Sequence, residues 1–404
     1  MLRPETFALT ATLALMTALG PLSVDMYLAS MPEIGSVMAA SAAQVQLTIS
    51  IYLLGFAGGQ IVYGPFSDRY GRRPVLLIAL GLFTAASLAC AAAPSIEVLI
   101  VARFFQALGG SGSIVIARAI VRDLYSGARA GRELSLMGAT MALAPIVAPV
   151  IGGMLQAAFG WQASFIALVG CGFGIGAVIW TLLPETVPQR VRAPISFAAI
   201  LRGYGEFLVD RRFVAYLGII ACSYGGLFAW ISGASFVLQT LYGLTPLDFG
   251  IAFGVSSAGY LVGTIVATGI VMRIGLGWTI GFGTLAQAAG GLAMVGALVL
   301  GLTSAISIAA PIALYLMGLG LATPQAMAGA LSPYPTRAGA ASSLFGFIQQ
   351  TWSAILGAIV GHLLASTAWP MAAAIAAMGG LSLIIWALTR DARRRIDPRP
   401  AGTA

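Results

Sequence analysis

Two ionisable residues lie inside long apolar stretches of the sequence, where they could take part in proton exchange. Asp25 lies in the apolar run 7–30, and Arg103 lies in the run 96–120. A charged side chain at the centre of a membrane-spanning helix costs about 2.5–3.5 kcal/mol, so such residues are functional candidates. Burial disfavours an ionised carboxylate and a nearby guanidinium favours it. A carboxylate whose surroundings change with conformation could therefore bind and release a proton; the alternative is a static ion pair.

The composition indicates that these segments lie in a bilayer. Of the 404 residues, 59% are hydrophobic and only 8% are charged, whereas soluble domains carry about 25% charged residues. The net charge of +8 comes from arginine without any lysine, and the arginines are scattered between apolar segments. We therefore expect this charge to orient the chain in a membrane rather than to bind nucleic acid. The three cysteines lie singly in apolar runs, which favours neither disulfides nor a metal site.

The apolar segments are numerous enough for twelve membrane crossings. A helix needs about 20 predominantly apolar residues to cross the hydrocarbon core. The first run is too long for the apolar part of a signal peptide, so we expect it to be the first span. The sequence predicts an all-α membrane protein with spans 1 to 12 at residues 7–30, 44–63, 75–93, 96–120, 133–158, 161–183, 213–239, 248–272, 276–302, 305–330, 339–364 and 368–389.

The arginines are distributed unevenly between the two sides of these spans. All 21 arginines except Arg103 lie in or near the loops that would share a side with the N-terminus. Because arginine-rich loops remain in the cytoplasm, this asymmetry predicts a multi-pass protein with both termini cytoplasmic. The opposite loops hold no arginine; they are residues 31–43, 94–96, 159–160, 240–247, 303–304 and 365–367.

A polar connection divides the spans into two groups of six. Apolar residues recur at helical spacing between Phe197 and Leu208, which predicts a short helix in the membrane surface. A flexible linker is the alternative for the proline-containing start of the connection. The predicted domains are an N-terminal six-helix bundle at 1–183, a cytoplasmic linker at 184–212, a C-terminal six-helix bundle at 213–390 and a cytoplasmic tail at 391–404.

The two halves share a sequence pattern at a constant offset of 208 residues. Arg129-Ala130-Gly131 matches Arg337-Ala338-Gly339, and Trp161 matches Trp369. Span 5 therefore corresponds to span 11, and the halves are expected to form two bundles related by a pseudo-two-fold axis. Repeats of this kind are typical of transporters whose binding site lies near the midplane.

Polar and aromatic residues inside the spans are candidates for the lining of a substrate cavity. For each of them, packing or a hydrogen bond between helices is an equally good explanation. His362, the only histidine, lies near the end of span 11, where interfacial hydrogen bonding is favoured over a proton relay. Glu33, just outside span 1, is expected to be a solvated loop residue. The cavity candidates are Tyr27, Tyr52, Phe56, Gln106, Tyr224, Trp230, Phe236 and Gln349.

A short polar run separates spans 2 and 3. Residues Gly64 to Pro74 follow the pattern G-x-x-x-D-R-x-G-R-R, and three of them are arginines. Pro65 and Gly71 suit a tight turn, and a turn this short makes the two spans antiparallel. A charged turn that only anchors two helices at the headgroups is the simpler interpretation of the arginines alone.

The chain resembles the major facilitator superfamily over essentially its whole length. Gly64 to Arg73 is similar to the signature loop of that superfamily. Within the superfamily, the chain is most similar to the Bcr/CflA-type drug–proton antiporters. The resembling segments are Pro21–Leu28 in span 1, Arg103–Gly109 in span 4, Ala144–Gly153 in span 5 and Ala341–Leu344 in span 11. Two positions depart from these relatives: Ala148 replaces a glycine of the span 5 motif, and Thr17 stands where some antiporters carry a second acid.

The resemblance implies the major facilitator fold and a multidrug efflux antiporter of the bacterial inner membrane, without enzymatic activity or a cofactor. It implies proton coupling by Asp25 and Arg103, and it implies that Asp68 faces span 11. Its partners would be a small drug, protons and the lipid bilayer, with no nucleic acid, and it would be a monomer. The implied gating loop, in which Arg72 or Arg73 pairs with Asp123, is Gly64, Asp68, Arg69, Gly71, Arg72, Arg73 and Asp123. The implied antiporter motif is Pro145, Pro149, Gly152 and Gly153.

Two other functions stay open at this point. A proton-coupled symporter that imports a nutrient or a small peptide would use the same fold, although the proline and glycine motif of span 5 argues against it. A membrane receptor or scaffold is the other class, and the ionisable residues inside the spans argue against that function.

Overall fold

The computed structural model of the chain describes residues 6–125, 127–187, 197–302, 304–334, 337–364 and 367–394. Over these ranges the chain is helical and has no strand. Eleven helical stretches within them are long and apolar enough to cross a membrane. Their helices are Phe7–Asp25 with Met31–Val37, Ala42–Tyr70, Arg72–Ala91, Ile96–Leu124, Gly127–Phe159, Gln162–Leu182, Arg211–Ser235 with a π turn at Phe236–Leu241, Pro246–Val299, Ala305–Leu331, Ala338–Leu363 and Trp369–Leu388.

The longest of these stretches consists of two spans joined at a glycine. Pro246–Val299 has 54 residues, or about 80 Å of helix, whereas the hydrocarbon core is about 30 Å thick. Gly275 interrupts the stretch with φ 79° and ψ 167°, a conformation that costs glycine little. With its two parts counted as spans 8 and 9, the described residues contain the twelve predicted spans.

The first span is longer than predicted, and it is broken in its middle. A 3-10 turn at Tyr27–Ser30 separates the helices Phe7–Asp25 and Met31–Val37. We had expected the span to end near Pro32, but proline is well tolerated in the first turn of a helix. The chain therefore continues as a helix, and Asp25 lies at an internal break rather than near the end of the span.

The polar run Gly64–Pro74 is mostly helical. The prediction that the turn between spans 2 and 3 occupies this whole run was therefore wrong. The second span continues through Pro65 to Tyr70, and the third span begins at Arg72. Only Gly71, with φ 105° and ψ 150°, lies between the two helices. One residue at positive φ suffices to reverse the chain, and glycine is the residue that adopts this conformation without strain.

The chain divides into two compact units. The first comprises Met1–Ile195, Ser235–Gly254 and Gly357–Ala365, and the second comprises Ser196–Ala234, Val255–Leu356 and Ser366–Ala404. The predicted bundles follow chain order, whereas the first unit also includes parts of spans 7, 8 and 11. The division at 1–183 and 213–390 stays a prediction.

Glycines explain why part of span 8 belongs to the first unit. A methyl group on Gly153 would overlap the carbonyl oxygen of Pro246, and one on Gly250 would overlap that of Pro149. The absence of side chains at these positions lets the arginine-poor ends of spans 5 and 8 meet backbone to backbone.

The second unit has a polar core between its own spans. The Ser223 hydroxyl lies 3.0 Å from Gln287 Oε1, and the Tyr315 hydroxyl donates to the Ser223 carbonyl oxygen at 3.0 Å. All three side chains are buried. These hydrogen bonds between uncharged groups join spans 7, 9 and 10.

The predicted short helix of the connection is present at Phe197–Val209. Its Phe207 is buried, and the ring centroid lies 4.8 Å from that of Tyr334. Glu206 forms a 2.5 Å salt bridge with Arg337. These contacts attach the helix to the second unit. The start of the linker at 188–196 and most of the tail, 395–404, lie outside the described residues.

Candidate functional site

The buried guanidinium of Arg103 is the centre of a polar cluster in the first unit. Its side chain in span 4 is completely buried. Nη1 donates to the carbonyl oxygen of Ser23 at 2.9 Å and to Gln106 Oε1 at 2.7 Å. Gln106 Nε2 donates in turn to Ser87 Oγ at 2.9 Å. One charged side chain therefore connects spans 1, 3 and 4.

Aromatic rings enclose the same guanidinium. Its central carbon lies 4.8 Å from the ring centroid of Tyr27, 4.3 Å from that of Tyr52 and 5.9 Å from that of Phe165. The electron-rich face of an aromatic ring attracts a cation, by about 2 kcal/mol or more where water is excluded. The three rings come from spans 1, 2 and 6, so they extend the cluster to five of the six spans in the first half.

Four of the predicted cavity residues lie in this enclosure or next to it. The Tyr27 hydroxyl is 2.7 Å from Thr48 Oγ1, and the Tyr52 hydroxyl donates to a backbone carbonyl oxygen of span 1 at 3.4 Å. The ring of Phe56 lies 6.3 Å from that of Tyr52. Together with Gln106, these side chains are buried in this structure, and their role in lining a substrate cavity stays a prediction.

Asp25 is buried two residues beyond Ser23, whose carbonyl oxygen accepts the Arg103 hydrogen bond. Its side chain is 4% exposed. Among the described residues, no salt bridge involves this carboxyl group, so the ion pair between Asp25 and Arg103 is not formed in this structure. Among the same residues, Nε and Nη2 of Arg103 also have no hydrogen-bond partner. Neither side chain therefore forms a salt bridge among the described residues.

The span 5 motif lies against the helix break that follows Asp25. A methyl group on Gly152 would overlap the backbone of Met26, whose carbonyl oxygen also accepts a hydrogen bond from Ser164 Oγ at 3.3 Å. Spans 5 and 6 therefore hold the first residue of the break from two sides. The four motif residues, Pro145, Pro149, Gly152 and Gly153, all lie within the single helix Gly127–Phe159.

Arg72 organises the predicted gating loop. Its Nε lies 2.9 Å from Asp123 Oδ2, and its Nη1 lies 2.5 Å from Asp68 Oδ1 and 2.7 Å from Ser67 Oγ. The sequence left Arg72 and Arg73 as alternative partners of Asp123, and the structure places Arg72 there. Asp68 is 46% exposed, so its side chain remains open to solvent.

The other predicted loop residues are at the periphery of this network. The Arg73 guanidinium donates to the carbonyl oxygen of Trp180 and lies 5.9 Å from its ring. Arg69 lies 5.5 Å from the ring of its neighbour Tyr70. Gly64 has open space on its Cβ side, so it does not mediate a close helix contact in this structure.

Glu185 belongs to the network, and sequence reasoning missed it. Its Oε1 accepts hydrogen bonds from the backbone N–H groups of Arg72, at 2.8 Å, and of Thr186, at 3.0 Å. It thus places a negative charge at the N-terminus of span 3, where the helix dipole is positive. The available signal was an acid immediately after span 6 on the arginine-rich side. The sequence does not reveal that this end of span 6 meets the start of span 3.

Two more carboxylates form contacts that were not expected. Glu33, predicted to be a solvated loop residue, lies in the second helix of span 1 and accepts a hydrogen bond from Gln156. Glu133 is buried at the arginine-rich end of span 5, where it accepts a hydrogen bond from Thr10 Oγ1 at 2.7 Å. Arg129 lies 3.3 Å from Glu133 and balances its charge.

Unsatisfied polar atoms mark span 11 in the second unit. Buried polar groups nearly always have a hydrogen-bond partner, so a run of groups without one indicates a place that binds water or a ligand. The atoms are Gln350 Oε1, Thr351 Oγ1, Trp352 Nε1 and Ser353 Oγ. Of the predicted cavity residues in this half, Trp230 is buried, whereas Tyr224, Phe236 and Gln349 are half-buried. His362 is exposed near the end of the span.

Comparison with known proteins gives a consistent result. Residues 13–355 match the Major Facilitator Superfamily. The chain is 36% identical to the uncharacterized MFS-type transporter YdgK of Bacillus subtilis, covering 96% of each chain. It is 29% identical to the bicyclomycin resistance protein homolog of Haemophilus influenzae over 91% of this chain and 92% of that one.

Other comparisons extend this result to drug resistance and to the fold. The multidrug resistance protein MdtL of Salmonella heidelberg is 31% identical over 84% of this chain and 85% of its own length. Among solved structures, the nucleoside transporter NupG aligns with a TM-score of 0.73 and 12% identity, covering 95% of this chain and 99% of that one. Similarity at that identity shows the fold alone.

Removing the carboxylate of Glu185 should loosen the start of span 3. We expect Glu185→Ala to lower the free energy of unfolding by about 1–2 kcal/mol, because it removes a charged cap from backbone N–H groups. The measurement is a thermal unfolding curve of the purified protein in detergent. Asp391→Ala is the matched control, since it removes an exposed acid from the arginine-rich side. Equal stability of the two variants would exclude a capping role.

The close contact at Gly152 should not tolerate a side chain. Gly152→Ala is expected to lower the free energy of unfolding by about 1–3 kcal/mol, because the added methyl group meets the Met26 backbone. Gly138→Ala in the same helix is the control, because Gly138 has open space on its Cβ side. Both changes raise helix propensity equally, so a loss confined to Gly152→Ala isolates the packing contact. A variant at Gly152 as stable as the control would contradict the assignment.

Proposed function

The chain belongs to the major facilitator superfamily, and on that premise we propose that this membrane transporter exports small amphipathic drugs in exchange for protons. It works by alternating access across the bacterial inner membrane, as a monomer with both termini in the cytoplasm. The names of two relatives, a bicyclomycin resistance protein homolog and a multidrug resistance protein, support drugs as the substrate class.

The observation that carries the proposal is the buried, unpaired carboxyl group of Asp25 at a helix break. A charge in this position has no compensating cation or hydrogen-bond donor among the described residues, and an uncompensated buried charge is strongly disfavoured. Asp25 is therefore the proton carrier, and it holds its proton in this arrangement. The broken segment Tyr27–Ser30 provides the backbone freedom for the carboxyl group to change its surroundings.

Arg103 is the counter-ion of Asp25 in the second arrangement of this carboxyl group. Its Nε and Nη2 are buried donors without partners, and a guanidinium binds a carboxylate with two parallel hydrogen bonds. When Asp25 turns toward these donors, the ion pair stabilises the carboxylate and the proton leaves. Proton binding and release are thereby linked to two positions of span 1, which is the coupling that an antiporter requires.

The substrate site combines aromatic and polar groups. The unsatisfied atoms of span 11 offer hydrogen bonds, and Tyr224 and Trp230 of span 7 offer aromatic surface. Apolar and stacking contacts discriminate weakly between ligands of similar size. The proposed transporter therefore accepts several amphipathic compounds rather than one.

The network of Arg72 acts as the gating latch in this proposal. It fastens the arginine-rich ends of spans 2, 3 and 4 through Asp68 and Asp123, and Glu185 adds the end of span 6. Arg72 has several charged partners, so the helix ends move as one body while these bonds hold. The contact of Asp68 with span 11 remains a prediction.

Proton release on drug binding tests the proposed exchange. We expect bicyclomycin or an amphipathic antibiotic to release protons from the purified wild-type protein in weakly buffered detergent. Asp25→Asn should abolish the release, because the amide carries no titratable proton. Proton release is measured with a pH indicator dye at fixed starting pH, and drug binding is measured separately by isothermal titration calorimetry.

The control variant is Asp391→Asn, which removes an acid from the exposed end of the chain and should leave the release unchanged. Release that persists in Asp25→Asn would contradict the role of Asp25 and move the proton site elsewhere. Binding without release in the wild type would contradict antiport. In that case, uptake of nutrients by reconstituted vesicles under an imposed proton gradient would test the symporter alternative.

A further inference from the structure

A cationic cavity lies at the arginine-rich end of the second unit, apart from the proposed transport site. Its volume is about 380 Å³, and its lining comes from spans 7, 9, 10 and 12 and from the end of the chain. The lining residues with polar or aromatic side chains include Arg212, Arg390, Arg393, Trp278, Trp386 and Ser332. We propose that this cavity binds the phosphate group of an anionic phospholipid from the cytoplasmic leaflet.

In the part of the chain that the structure describes, the three arginine side chains of the cavity form no salt bridge; the acid contact at these residues is Asp210, which accepts a hydrogen bond from the backbone N–H of Arg212 at 2.9 Å. Among the described residues, none of the salt bridges involves Arg212, Arg390 or Arg393. Arg212 donates from Nη2 to Ser332 Oγ at 3.1 Å, but its buried Nε has no hydrogen-bond partner. Three guanidinium groups around one cavity repel one another, so an anion inside the cavity is the arrangement that stabilises them.

Arg393 is a buried cation whose hydrogen-bond partners are uncharged. Its hydrogen bonds go to the hydroxyl of Thr389, at 3.2 Å, and to the carbonyl oxygen of Trp386. Burial, with a further contribution from Arg390, lowers the pKa of Arg393. Asp391, the acid adjacent in sequence, is exposed and does not line the cavity.

Tryptophan side chains hold the guanidinium groups in place. The central carbon of Arg390 lies 5.8 Å from the ring of Trp278, and that of Arg393 lies 5.6 Å from the ring of Trp386. Trp386 in turn donates from Nε1 to the carbonyl oxygen of Gly277 at 2.9 Å. The donors are therefore preorganised, which lowers the entropy lost when an anion binds.

The corresponding corner of the first unit has the opposite charge balance. There, Arg73 lies over Trp180 near the end of span 6, as Arg393 lies over Trp386 near the end of span 12. In the first unit, however, Asp123 pairs with the guanidinium of Arg72, and Glu185 accepts a hydrogen bond from the backbone N–H of Arg72. In the second unit, no salt bridge among the described residues involves the arginines of the cavity, which favours an anion from outside the chain.

The surroundings of the cavity favour a lipid over a soluble phosphate. Trp278 is 52% exposed and Leu388 is 81% exposed, and Phe282 and Ile384 extend the exposed apolar surface along spans 9 and 12. Acyl chains can cover this surface while the phosphate enters the cavity. Arginine binds phosphate oxygens through paired hydrogen bonds, and the cytoplasmic leaflet carries anionic lipids that attract basic groups near the surface.

Lipid binding by the purified full-length chain tests the proposal. Native mass spectrometry of delipidated protein is expected to show phosphatidylglycerol adducts that resist dissociation, with much weaker binding of phosphatidylcholine. The double variant Arg212→Gln/Arg390→Gln should bind phosphatidylglycerol about tenfold more weakly, because two charges that face the headgroup are removed. Arg273→Gln is the matched control, since Arg273 is exposed on the same side but does not line the cavity.

Three outcomes would overturn the proposal or part of it. Equal loss of lipid in the double variant and in Arg273→Gln would mean attraction by net charge alone. Equal affinity for phosphatidylcholine and phosphatidylglycerol would exclude recognition of an anionic headgroup. Arginine-dependent binding of glycerol phosphate, without any preference for the lipid, would assign the cavity to a soluble anion instead.

Folding of the variants is checked by thermal unfolding in lipid-free detergent. If the double variant does not fold, the single variant Arg390→Gln is used to test the proposal. Arg390 is exposed, and its replacement leaves the buried contacts of Arg212 and Arg393 in place. Under the proposal, added phosphatidylglycerol raises the unfolding temperature of the wild type more than that of Arg390→Gln. An equal rise in both would contradict the cavity as the binding site. Failure of drug-triggered proton release would leave this result unaffected.

Discussion

A buried guanidinium without a carboxylate partner is the constraint on which the first unit depends. Removing such a charge from water costs several kcal/mol even after relaxation. Arg103 is compensated by a carbonyl oxygen, by the amide of Gln106 and by three aromatic rings. Because these groups come from spans 1, 2, 4 and 6, the position of each of these four spans is tied to one cation. Any movement of span 1 has to preserve or replace the contact at Ser23, so the state of Asp25 nearby is coupled to the packing of the whole unit.

The two arginine-rich corners show how the same residue type produces different behaviour. Arg72 forms salt bridges with Asp68 and Asp123, and Glu185 is nearby, so the charge of Arg72 is balanced within the protein. Among the described residues, the guanidinium groups around the cavity of the second unit have only hydroxyl groups, carbonyl oxygens and rings as partners. A network in which every charge has a partner within the protein keeps its arrangement. A network without an anion can instead bind an anionic lipid from the membrane. Under the proposal of a lipid site, an anionic lipid in the second corner would stabilise the protein.

Interruptions of regular helix lie close to the functional residues. Span 1 breaks immediately after Asp25, and the end of span 7 adopts a π turn at Phe236–Leu241. Such turns occur often at functional sites. At the break in span 1, Gly152 brings a neighbouring backbone against Met26. Close backbone packing next to this buried 3-10 turn restricts the turn to few arrangements, which fits the proposal that Asp25 moves between two environments.

Much of the fold was predictable from the sequence, and the site was predictable only in part. Twelve spans, the division at Gly275 and the helix at Phe197–Val209 follow from apolar length and from local spacing. The resemblance of Gly64–Arg73 to a signature loop identified the superfamily, because that motif is short and contiguous. The predictions failed at the end of span 1, which was placed at residue 30, and at Pro65, which was placed in a turn; the chain is helical at Met31–Val37 and through Pro65. Proline is a weak signal when the helix around it is long and well packed.

The sequence by itself determined how many times the chain crosses the membrane and which residues are charged inside it, because both depend on about 20 neighbouring residues. Only the tertiary structure decided which acid meets which arginine. The guanidinium of Arg72 binds Asp123, and its backbone N–H binds Glu185; these acids are 51 and 113 positions away. Arg103, in contrast, binds no acid among the described residues. Pairing over such separations depends on how whole helices pack, and an ion pair forms only when packing brings two side chains within about 4 Å.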